Sequence, residues 1–258
     1  MKKAISKPRK CTPRMIKCIN TQRLNKTKDI VDLAREAEKN GFDGLELNID
    51  HINEGKGQDR FCWKDIEKAS RSIVSLTTNQ FGLFDFAADD EPKRAESVDY
   101  FGNLQEIAAE IRETETDTEN IFVAVSVSDI IPTGEKASRS YEETFHRIFD
   151  GLEPLVIRAE KLSVPLLFEN PPRQVFLSPL ELRDFIDKFS SAFLGLTFNP
   201  LHAKDLYRPS EGLKIFDRRV RALRMPLSVT DDENDRQISE EILSICEQYG
   251  KNIPILYR

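Results

Sequence analysis

Residues 165–172, PLLFENPP, and residues 195–203, GLTFNPLHA, decide the reading of this chain. Each is a short apolar run of strand type that ends in polar, chemically capable residues. The first delivers Glu169 and Asn170, the second Asn199 and then His202. Enzymes built on parallel barrels assemble their sites in this way, from the carboxyl ends of successive strands.

Outward from this pair, strand-like and helix-like segments alternate along the sequence. Residues 15–20, 42–48, 73–78 and 121–127 read as strands one to four, and 165–168 and 194–198 as strands five and six. Residues 226–230 read as strand seven and 253–257 as strand eight. Between them, Ile30, Leu33, Ala34 and Ala37 recur at helical spacing, and Gly41 stands where a C-terminal glycine belongs. The stretch 93–112 is a long helix, and 140–162 a helix interrupted or kinked near Pro154. Ser178-Pro179-Leu180-Glu181 is a capping box with proline at the first helical position, followed by the buried stripe Leu182, Phe185, Ile186, Phe189. Ile242, Ile245, Cys246 and Tyr249 line a last helix.

Eight strands with intervening helices predict a (β/α)8 TIM barrel. A doubly wound sheet is the main competitor, but no GxGxxG or P-loop supports it. Residues 1–13 are expected to be a basic leader and 14–258 one barrel domain. No helix follows the eighth strand, so the N-terminal segment or a second subunit, in a homo-oligomer, is expected to cover it.

Bulk properties narrow the function classes. The 258 residues are 39% hydrophobic and 32% charged, without an apolar run able to span a membrane. A net charge of −6 argues against a broad nucleic-acid surface, although Lys2, Lys3, Lys7, Arg9, Lys10, Arg14 and Lys17 form a local basic stretch. That stretch precedes no apolar core, so it is not a secretory signal. Cys11, Cys18, Cys62 and Cys246 form no CxxC pair, which fits reduced thiols in a cytoplasmic protein.

Three motifs carry a resemblance. NGFDGLELNID (40–50), SVPLLFEN (163–170) and LGLTFNPLHA (194–203) resemble the second-, fifth- and sixth-strand motifs of xylose isomerase-like TIM barrels. That group contains sugar-phosphate isomerases, keto-sugar epimerases and AP endonuclease 2-type proteins. Its metal-dependent members hold one divalent ion with a Glu after strand five, an Asp after strand six, a His after strand seven and a Glu after strand eight. On this sequence those positions fall on Glu169, on Asn199, near Ser228 and near Tyr257. The resemblance therefore implies a barrel with a degenerate metal site.

Two functions are expected from these residues. One is a sugar isomerase or epimerase acting on a small polyol or keto-sugar, with Glu169 as base and His202 as substrate contact. The other is a non-catalytic relative that binds a small polar ligand or partner after losing its metal. Glu46, Asn170, Arg173 and Asn199, at or just after strand ends, are candidate substrate-binding residues. Asn20 and Asn79 occupy similar positions. Asp231 and Asp232 could join Glu169 in binding Mn2+, Mg2+, Co2+ or Zn2+, or could simply cap the next helix; no metal at all is the alternative. With three histidines, His51, His146 and His202, a His-rich trinuclear zinc site cannot be built, which argues against a nuclease.

Overall fold

Alternating patches of β-branched and leucine-rich sequence with amphipathic helices build a closed barrel. The structure, a computed structural model, describes residues 15–24, 29–50, 63–78, 84–113, 121–126, 140–170, 178–227, 232–249 and 253–258. The basic leader, His51, Asn79, Arg173, Ser228 and Asp231 lie outside the described residues.

Eight parallel strands close in sequence order. They are β1 (Lys17–Asn20), β2 (Gly44–Asn48), β3 (Ile73–Thr77), β4 (Phe122–Val125), β5 (Leu166–Glu169), β6 (Leu194–Phe198), β7 (Val220–Met225) and β8 (Ile255–Tyr257). Closure is made where β1 pairs with β8, Cys18 opposite Leu256. Strands β2, β4, β5 and β6 are buried along their whole length, as expected where helices cover one face and the barrel interior the other.

Among the described residues the outer layer comprises α1 (Ile30–Lys39), α2 (Trp63–Ala69), α3 (Glu91–Glu113), α4 (Tyr141–Leu162), α5 (Pro179–Lys188), α6 (Pro200–Ala203), α7 (Pro209–Phe216) and α8 (Glu233–Gln248). The expected cap at Ser178 forms, and Asp29 caps α1 in the same way. Asp29 accepts from the amide of Asp32, and Ser178 from that of Glu181. Gly41 takes φ +82°, left-handed backbone that glycine adopts without a Cβ penalty.

Two expectations need correction. Helix α4 is not interrupted at Pro154: Leu152, Leu155, Val156 and Ala159 share one buried face on either side of it, which holds the helix although the proline cannot donate its amide hydrogen. The seventh strand is not 226–230 but Val220–Met225. Its sequence, VRALRM, carries two arginines that break the apolar run used to find strands, while the cleaner run PLSV follows it. This shift places Arg224 inside the barrel.

On the outer face of β8, Ile255 is buried and Tyr257 meets Phe42 edge-on at 5.8 Å between ring centroids. The segment before β2 thus supplies part of the cover that a helix would otherwise give.

Candidate functional site

Strand alternation sends every second residue into the barrel. Cys18, Phe122, Leu167, Ala222 and Leu256 form an apolar plug there. Burial pushes the Cys18 thiol well above its ordinary range, with Glu46 and Asp43 adding to the effect. One step further along the same faces come Asn20 on β1, Glu169 on β5 and Arg224 on β7, with Arg258 just past β8. Glu46 occupies the matching face of β2, opposite Asn20 and Ser75. The interior changes from apolar to charged over one residue step toward the carboxyl ends of the strands.

Arg224 organises this layer. Its Nε and Nη2 donate to the two oxygens of Glu169 at 3.2 and 2.9 Å, and its Nη1 donates to Oε2 of Glu46 at 2.5 Å. Asn20 Nδ2 donates to the same Glu46 oxygen at 2.7 Å. The guanidinium is 3% exposed, and the Glu46 and Glu169 side chains 0% and 6%. Such a buried cation between two anions is electrostatically compensated where a lone charge would not be. Burial by itself would raise the Glu46 carboxyl, but the Arg224 charge and hydrogen bond, the Asn20 amide and the charge of Arg258 hold it below the ordinary carboxylate range. Conversely, burial would lower Arg224; Glu169 and Glu46 outweigh it and keep the guanidinium protonated.

The neighbouring wall is held by amides. Asn170 Nδ2 donates to the carbonyl of Asn199 at 3.0 Å, and the Asn199 amide donates back to Asn170 Oδ1 at 2.6 Å. Asn199 Oδ1 caps α6 by accepting from the amides of Leu201 and His202. The His202 ring lies with Nδ1 3.1 Å from the Asn170 carbonyl oxygen, to which it donates, and the residue lines the cavity at the barrel mouth.

A cavity of about 260 Å3 opens over these groups, lined by Glu169, Asn199, His202 and Arg224 together with Arg23, Met225 and Arg258. A larger groove, about 480 Å3, lies outside the barrel between α1 and α2 and is lined by Val31, Ala34, Arg35, Phe42 and Lys68. It contains none of the strand-end residues, so the chemistry belongs to the smaller cavity. Of the candidate residues, Glu169, Asn199 and His202 line that cavity; Glu46 lies behind Arg224, and Asn170 holds the loop. Asp232 is exposed and caps α8 by accepting from the Asn234 amide. Arg224 and Arg258 escaped the sequence reading; treating 220–225 as a strand would have put Arg224 on the face of Ala222.

The profile that matches residues 34–249 describes a xylose isomerase-like TIM barrel. The chain belongs to that family. Solved structures with the same fold include 3-keto-D-glucoside 4-epimerase YcjR from E. coli, with TM-score 0.73 and 13% identity over 95% of this chain and 92% of that one. D-psicose 3-epimerase from Clostridium cellulolyticum H10, solved with D-tagatose, gives TM-score 0.72 and 12% identity over 94% and 84%. The IOLI protein, solved with a bound zinc atom, gives 0.64 and 17% over 94% and 88%. No curated protein matches the chain by sequence.

Within this xylose isomerase-like barrel, the described residues at the mouth do not fit a divalent ion. Both oxygens of Glu169 and one of Glu46 are taken by Arg224, and Asn199 Oδ1 is spent on a helix cap. Only Glu46 Oε1 is a carboxylate oxygen of this layer without a partner among the described residues. A hard dication needs several oxygen ligands and repels a guanidinium already seated between the carboxylates. Among the described residues no group of three or more His, Cys, Asp or Glu side chains is arranged to hold a metal.

Proposed function

We propose that this member of the family binds a small polyol or keto-sugar at the mouth of the barrel without a divalent ion, and that isomerase chemistry has been lost. The supporting observation is Arg224, whose guanidinium spans Glu46 and Glu169. Both Glu169 oxygens accept from Arg224, so neither is free to approach a hydrogen on a ligand. The cavity suits a ligand of sugar size rather than a drug-sized one, its volume lying just below the usual range for such pockets. His202, which lines that cavity, offers its ring to a ligand hydroxyl. Asn48 Nδ2, Ser75 Oγ and Thr197 Oγ1 are further buried polar atoms without a protein partner among the described residues.

A second reading keeps Glu169 as a base and His202 as a substrate contact in an active isomerase or epimerase. It is favoured by one observation, that both side chains line the same cavity. The two readings separate in one experiment. EDTA-treated protein is titrated calorimetrically with a panel of ketoses and polyols, and the same mixtures, with and without added Mn2+, are followed by proton NMR in D2O. Binding without deuterium exchange beside the carbonyl is the expected result. Exchange that disappears in Glu169→Gln would establish the active enzyme instead, and no binding by any member of the panel would refute a ligand-binding role.

A further inference from the structure

We propose that the barrel interior binds an ordered water between β2 and β3, held by Glu46, Asn48 and Ser75. The inference goes beyond the ligand-binding reading above and does not depend on it. Glu46 Oε1, Asn48 Nδ2 and Ser75 Oγ have no protein partner among the described residues. All three residues are 0% exposed, and none of them lines the mouth cavity. Glu46 and Asn48 stand two residues apart on the inward face of β2, and Ser75 is the register partner of Glu46 on β3. Polar atoms shut off from bulk solvent rarely go without a hydrogen bond.

The chemistry of the three atoms selects the occupant. Glu46, held below the ordinary carboxylate range, can only accept. Asn48 Oδ1 already accepts from the Asp50 amide at 2.9 Å, which leaves its amide nitrogen, a donor only, as the free end. The Ser75 hydroxyl does either. A cation would suit the carboxylate, but it would meet the Asn48 N–H donors and the guanidinium of Arg224, whose Nη1 is 2.5 Å from the other Glu46 oxygen. An anion would suit the amide and be repelled by the carboxylate. Water is neutral, donates and accepts, and typically makes about 3 hydrogen bonds when buried. Small side chains make room for it: the inward residues beside Glu46 and Asn48 are Ser75 and Thr77 on β3, with Ala124 on β4, where barrel interiors are usually filled by bulky branched ones. The water's role is positioning. Arg224 and Asn20 hold Oε2 of Glu46 and the water holds Oε1, so the carboxylate is fixed from both sides.

Two measurements on the ligand-free full chain test this. NOE and ROE spectra of the Asn48 side-chain amide should each show a cross-peak to water, with opposite signs, which marks a held water rather than proton exchange. A crystal structure should place a water within hydrogen-bond distance of all three atoms. A protein group found on Glu46 Oε1 and Asn48 Nδ2 instead, or a dry site without the cross-peak, would overturn the proposal. Two variants add an independent check. Ser75→Ala leaves two partners in place, so the cross-peak should survive, which excludes relay through the serine hydroxyl, and Tm should fall slightly. Ser75→Val puts a methyl group where the water sits; it should erase the cross-peak and lower Tm further. A rise in Tm for both variants, the outcome when an unsatisfied hydroxyl is removed from a dry site, would contradict the proposal.

Discussion

The two walls of the barrel mouth differ in what holds them. At the ends of β5 and β6, Asn170, Asn199 and His202 are locked by backbone and amide hydrogen bonds, while Glu169 beside them is held by Arg224. At the ends of β7 and β8 the interior positions are Arg224 and Arg258. The charge on the second wall sets what the first wall can do: Glu169 stands at its strand end, but it faces a guanidinium. Residues at a shared site cannot be read one strand at a time, because their protonation and availability are set across the barrel.

The difference can be broken most forcefully at Arg224. Arg224→Leu leaves Glu46 and Glu169 buried without their counterion, and a loss of roughly 3–5 kcal/mol in urea denaturation is expected. Arg224→Lys keeps the charge without the fork and should fall between that variant and the native chain. Equal stability in Arg224→Leu would mean that the two carboxylates do not depend on the guanidinium.

Glu46→Gln removes one arm of the network, along with the charge that Arg224 answers. The expected cost is roughly 1.5–3 kcal/mol, the range for hydrogen bonds to charged groups. A double-mutant cycle with Arg224→Leu should show strong coupling, whereas additivity would place the two side chains in independent environments.

Asn199→Ala sharpens the contrast from the other wall. It deletes the acceptor for the Leu201 and His202 amides and should cost about 0.5–2 kcal/mol, as the loss of a helix cap does. Asn199→Asp preserves that acceptor and should be near neutral in stability. It should also gain no thermal shift with Mn2+, because Arg224 still holds Glu169; a clear shift would show that the position of a single carboxylate controls metal binding.

The smallest effect concerns pH. The folded-state value of Glu46 lies below its ordinary 4.5. Its contribution to stability is therefore fully present above about 4.5 and is lost as the pH falls through the lowered value. The native chain should hold its melting temperature from neutral pH down to that point and then lose it, while Glu46→Gln should lose less over the acid range. Parallel acid profiles for the two proteins would remove Glu46 from the account.

The fold was largely legible in the sequence because apolar runs and capped amphipathic stripes are local signals. PLLFEN and GLTFNP delimit β5 and β6 to within a residue, and Ser178 with Glu181 marks the start of α5. Glu169, Asn199 and His202 were legible for the same reason, lying just past clean apolar runs. Arg224 was not. It sits in VRALRM, where two arginines erase the strand signal, and its partner Glu46 lies 178 residues away in sequence. Pairing across the barrel leaves no local trace, so the sequence alone did not show the ion pairs that Arg224 makes.

The central claim is that a covalently attached cation occupies the charge position between Glu46 and Glu169. Its most direct test is calorimetric titration of Mn2+ into EDTA-treated native protein at neutral pH. No saturable binding is expected. Stoichiometric, tight binding of Mn2+ by the native chain would contradict it, since Glu169 would then have to leave Arg224 to reach the metal.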